Sequence, residues 1–111
     1  MSVCFILQVK VKPDSEDEFL RRYDALRERV AAGLDGHVVH RLCQGIDDPS
    51  RWLIYSEFET LEASQEWERS QEHRDLTTPL RECWHEAQRT SYEVQLETRR
   101  PQPDTAPAAS A

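Results

Sequence analysis

Residues 3–11 read VCFILQVKV, and every odd position in that run is apolar: Val3, Phe5, Leu7, Val9 and Val11. The even positions, Cys4, Ile6, Gln8 and Lys10, are mixed. Period two is the mark of a β-strand, and this one has a face for the core and a second face that is half apolar. Such a strand needs cover on both sides. Any fold for the chain must therefore supply helices on one face of a sheet and something else on the other.

The segments that follow supply the helices. Ser15-Glu16-Asp17-Glu18 reads as a capping box, with the Ser15 hydroxyl taking the Glu18 backbone N–H. Phe19, Tyr23, Leu26, Val30 and Leu34 then recur at helical spacing on one face, and Asp17–Arg21 and Glu18–Arg22 stand at i,i+4. Gly36 fits a helix stop. Residues 37–44 and 51–59 read as strands joined by the turn GIDDPSR, hence an antiparallel hairpin. On the second of these, Trp52, Ile54, Ser56 and Phe58 share one face, and Leu53, Tyr55 and Glu57 the other. Thr60 suits the cap of a second helical region. That region should be broken, because Trp67 and His73 are six apart and cannot share a face of one straight helix. Ser70 is the expected start of a new turn, and Thr78-Pro79 a further irregularity. Residues 90–97 alternate Tyr92, Val94 and Leu96 with polar residues and read as the last strand.

The order βαββαβ is the ferredoxin-like split arrangement, an α+β fold. Right-handed crossovers put both helices on one face of a four-stranded antiparallel sheet. The other face, with Cys4, Ile6, Leu53 and Tyr55, is then bare, and a homodimer packed sheet on sheet is the expected cover. A chain of 111 residues suits one domain. It is assigned to residues 1–98, and the Pro- and Ala-rich stretch 99–111 is expected to be a disordered tail.

Charge narrows the partners. The formal net charge is −7 and charged residues make up 32% of the chain. No basic cluster alternates with aromatics, so nucleic acid and anionic membrane surfaces are poor partners. The three cysteines, Cys4, Cys43 and Cys83, have no CxxC spacing and read as reduced thiols of a cytoplasmic protein. The apolar run 3–7 is too short for a signal peptide. No HxH or HExxH spacing suggests a metal. With only three glycines there is no phosphate-cradling loop for a nucleotide or flavin. The expectation is therefore no cofactor.

The stretch DDPSRWLIYSEFETLEASQEWERSQEH adds a resemblance. Its strand run Ile54-Tyr55-Ser56-Glu57-Phe58, followed by a short helix with Trp67 and then Ser70 and His73, resembles the antibiotic biosynthesis monooxygenase (ABM) domains. The run WERSQEHRDLTTPLREC is similar to the SchA/CurD-like members of polyketide gene clusters. The resemblance covers residues 3–97. It implies a dimeric α+β barrel with a pocket inside each protomer, between helices and sheet. It further implies a cofactor-independent monooxygenase that uses O₂ to turn an anthrone or phenol into a quinone. Haem degradation, another activity of the fold, fits poorly: strand one offers Gln8 rather than Asn, and Thr77 stands where a histidine ligand is expected.

Several side chains are candidates for such a pocket, each with a plainer reading beside it. Trp67 is a packing anchor, a wall that stacks on a flat substrate, or both. His73 is a capping residue or a general base. His40, mid-strand, faces either the helices or the dimer interface; in the first case it is a second base, oriented by Glu57 or Tyr55. Tyr23 packs in the core or aims its hydroxyl at a substrate oxygen. Phe5, Gln8, Arg41, Ser56 and Tyr55 are further substrate-binding candidates. His37 and His85 read as surface residues and Cys43 as inert. The rival readings are a polyketide cyclase on the same fold and a non-catalytic dimeric binding module.

Overall fold

The computed structural model describes residues 1–101. The elements are β1 (Val3–Val11), α1 (Glu16–Ala31), β2 (His37–Gln44), β3 (Arg51–Phe58), α2 (Leu61–Arg69), α3 (Gln71–Arg81) and β4 (Trp84–Glu93). The four strands form one antiparallel sheet in the order β2-β3-β1-β4. This is the expected ferredoxin-like α+β arrangement, with the second helical region in two pieces.

The odd face of β1 meets the helices as the alternation requires. Val9, Val11, Trp52, Phe19, Tyr23, Leu26, Leu80 and Cys83 form the buried core. Phe19 is its hub, fully buried, with its ring 5.4 Å from Trp52, 5.8 Å from Tyr23 and 6.2 Å from Trp84. The even face carries Cys4, Ile6, Gln8 and Lys10 beside Leu53, Tyr55 and Glu57. There the Tyr55 hydroxyl donates to Glu57 at 2.8 Å. Among the described residues, no helix is long and apolar enough to cross a membrane.

Three local expectations are corrected. The Ser15 side chain makes no capping bond, and Glu18 instead accepts from Arg21 and Arg22. Two guanidinium donors bind a carboxylate more strongly than a backbone amide does. Arg22 also donates to the Pro79 carbonyl (2.7 Å), tying α1 to the end of α3, which runs on through Pro79. Second, α1 stops before Gly33 (φ +106), not at Gly36, so Leu34 lies beyond the helix. Gly36 instead allows a close approach between elements, since at φ +74 a Cβ there would stand 2.8 Å from Ala63 of α2. Third, β4 begins at Trp84 rather than residue 90. Pairing with the full length of β1, from Val3↔Glu93 to Val11↔Trp84, fixes its position. The alternating residues Val94 and Leu96 fall past its end, and Leu96 is exposed. Of the expected tail, residues 102–111 lie outside the described residues.

Candidate functional site

A cleft of about 580 Å³ opens between the helix-side face of the sheet and the three helices. Its floor comes from Phe5 and Leu7 on β1, Ile54, Ser56 and Phe58 on β3, and His40 on β2. Trp84 and Arg89 of β4 close one side, and Trp67, Glu68, His73, Thr77 and Arg81 of α2 and α3 form the roof.

The roof depends on one serine. Thr60 caps α2 by accepting the Ala63 N–H at 3.1 Å, as its residue type suggests. Ser70 then does double duty. It ends α2 in extended backbone geometry (φ −71, ψ 150) and caps α3 by accepting the His73 N–H at 3.1 Å. Its hydroxyl also donates to the Trp67 carbonyl at 2.6 Å. In a straight helix the two rings would diverge by about 120°. Across this bend they meet edge to face, with centroids 5.3 Å apart at 79°. Arg29 of α1 lies 5.8 Å from the Trp67 ring centroid and is held by Glu72 at 2.6 Å.

Burial pushes the His73 imidazole below its ordinary pKa; nearby Glu68 opposes this, while Arg81, Arg89 and Arg74 add to it. The ring is therefore neutral at pH 7 and able to accept a proton. No side-chain hydrogen bond holds it among the described residues, so its ring nitrogens are available to a ligand.

A second histidine sits on the floor. His40 Nε2 is hydrogen-bonded to the Tyr23 hydroxyl, and the two rings lie 5.8 Å apart. Burial, with a smaller contribution from His37, lowers the His40 pKa to about 4. Burial likewise raises that of Tyr23, so both groups are neutral at pH 7. That neighbour lies where the loop before β2 ends and the strand begins. His37 and His40 are an odd number apart, yet a bulge between His37 and Val39 turns both to the helix side, with rings 6.1 Å apart. His37 is thus no free surface residue: it packs edge-on to Phe58 at 5.2 Å, and burial lowers its pKa. His37 Nε2 and His40 Nδ1 are buried with no partner among the described residues.

Of the side chains singled out from the sequence, His73, His40, Trp67, Phe5 and Ser56 line the cleft together. Tyr23 reaches it through His40. Gln8, Arg41 and Tyr55 do not belong to it. Gln8 pairs with Leu53, and Arg41 with Tyr55, on the opposite face of the sheet, because adjacent strand residues point to opposite sides. Glu57 shares that face and does not orient His40. Sequence reasoning missed Glu68, Arg81 and Arg89. Arg89 falls outside the strand that alternation marks at 90–97; the true register against Leu7 puts it on the cleft side. Among the described residues, no three His, Cys, Asp or Glu side chains converge to hold a metal ion.

An apolar, aromatic slot with neutral imidazoles at two walls can hold a flat molecule, accept a proton and offer hydrogen bonds to an oxygen. Comparison with known proteins agrees with the layout. The family model for antibiotic biosynthesis monooxygenase matches residues 2–78. The chain belongs to this family. The 42.8 kDa protein of the whiE locus of Streptomyces coelicolor is 38% identical over 93 residues, covering 84% of this chain and 23% of that protein. Polyketide synthase CurD of Streptomyces cyaneus is 34% identical over 83 residues, 75% of this chain and 22% of that protein. The chain thus spans about a quarter of the length of the curated relatives it matches. Among solved structures, SnoaB from Streptomyces nogalater, a cofactor-independent oxygenase, superposes with a TM-score of 0.75 at 16% identity. That match covers 86% of this chain and 95% of SnoaB, and at that identity it speaks for the fold.

Proposed function

We propose that this ABM-family chain is a cofactor-independent monooxygenase that oxidises an aromatic polyketide, an anthrone or phenol, to a quinone. The observation that carries the reading is the Ser70 bend, which sets a neutral, unbonded His73 ring against Trp67 at the wall of an aromatic cleft. The names of polyketide synthase CurD and of SnoaB, a cofactor-independent oxygenase, support the substrate class and the reaction type.

In this reading His73 removes the acidic C–H or O–H proton of the bound ring system. The delocalised carbanion passes an electron to O₂, and the radicals join as a peroxide. Loss of water leaves the carbonyl, so CH₂ plus O₂ becomes C=O plus H₂O. Ser56 faces the substrate oxygens from the floor and stabilises the anion by hydrogen bonding, while His40, held by Tyr23, forms part of the floor itself. Trp67 and the apolar floor hold the rings in place. The protein acts as a homodimer through the outer sheet face.

The test is turnover of an anthrone under ¹⁸O₂. One labelled oxygen in the quinone and one in water supports the reading. Anaerobic ring closure of an open polyketide chain, with no turnover of the anthrone, replaces it with a cyclase, and binding without turnover of either makes the chain a binding module.

A further inference from the structure

The cleft of this acidic chain is not acidic. The charged groups lining it are Glu68, Arg81 and Arg89, two cations against one anion. Arg81 has no ion-pair partner among the described residues. Arg89 is held in a specific way. Its guanidinium carbon sits 4.4 Å over the Phe5 ring centroid, and its Nη2 donates to both Glu68 oxygens, at 2.7 and 2.6 Å. The other donors, on Nε and Nη1, are unused among the described residues. A guanidinium stacked on an aromatic floor with one edge unspent is pre-organised for a planar acid. Leu7, Ile54 and Trp67 line the same cleft and supply apolar surface for the rest of such a molecule.

We propose that Arg89 is the specificity residue of the cleft, selecting a flat aromatic ligand that carries a carboxylate. Glu68 is its placeholder, holding the guanidinium over Phe5 until the ligand's acid shares it. The proposal rests on the aromatic-cleft reading above and names the substrate class that reading leaves open.

The experiment is calorimetric titration with anthraquinone-2-carboxylate and with its methyl ester, in which the acid is masked and its charge removed. Wild type should bind the acid roughly tenfold to a hundredfold more tightly than the ester. Arg89→Met should erase that preference while leaving ester binding in place. Glu68→Gln, which removes the placeholder, should tighten acid binding further. If Arg89→Met does not fold, Arg89→Lys decides, since a point charge should keep only part of the preference. Equal binding of acid and ester by wild type overturns this proposal and leaves the oxygenase reading standing. A preference that survives in Arg89→Met also overturns it. Failure of both ligands to bind overturns the two together.

Discussion

The two faces of one sheet have different work. The helix side is closed: Phe5, Val9, Val11, Trp52 and Phe58 are all buried, and what is left open is a shaped aromatic cleft. The outer side holds Ile6, Leu53 and Tyr55 half-exposed, and a carboxylate, Glu57, buried against Tyr55. Both faces come from the same strands, one residue out of step. Chemistry is assigned to a side chain by its parity as much as by its type, because period two sends neighbours to opposite sides.

That contrast can be broken experimentally, and the largest effect belongs to the outer face. Wild type should sediment as the proposed dimer and Leu53→Arg as a single protomer, with the far-ultraviolet circular dichroism unchanged. A dimer that persists would remove the outer face as the interface. On the helix side, Phe19→Ala should cost about 3–5 kcal/mol in urea unfolding. Ile46→Ala, 95% exposed in the turn between β2 and β3, should stay within about 0.5 kcal/mol.

The helix side also responds to acid. The folded His40 titrates near 4 and the unfolded one near 6.5. Between those values the unfolded chain binds more protons, so stability falls as pH drops through that window. The loss is roughly 2–3 kcal/mol and levels off below the folded value. Urea midpoints measured from neutral pH down to that value should show this slope in wild type and a flatter one in His40→Phe. The smallest effects separate two serines of similar sequence context. Ser70→Ala should cost about 1 kcal/mol, whereas Ser15→Ala, with no capping bond to lose, should cost a few tenths at most.

Most of the architecture was legible because each element announces itself locally. β1, β2 and the hairpin follow from alternation and turn residues. The break at Ser70 follows from the six-residue spacing of Trp67 and His73, which one straight helix cannot bring to a common face. β4 was not legible in the same way. Its residues Glu86, Gln88, Arg89 and Ser91 carry no apolar alternation, since an edge strand is placed by its backbone pairing to β1. That displacement hid Arg89. In the site, parity was available and unused: Phe5 and Gln8, or Ser56 and Tyr55, cannot line one cleft. His37, read as a surface residue at a loop end, is turned to the helix side by a bulge at Val38. Bulges are set by pairing across strands, which no single stretch of sequence displays.

The measurement that bears most directly on the account is oxygen uptake by chelator-treated protein with a simple anthrone, for wild type, His73→Phe and Trp67→Ala. Wild-type uptake should run well above spontaneous oxidation, falling by about 10²–10⁴-fold toward background in His73→Phe and markedly in Trp67→Ala, with both variants folded. Uptake by wild type no faster than the uncatalysed rate, or full activity in His73→Phe, would contradict the oxygenase reading.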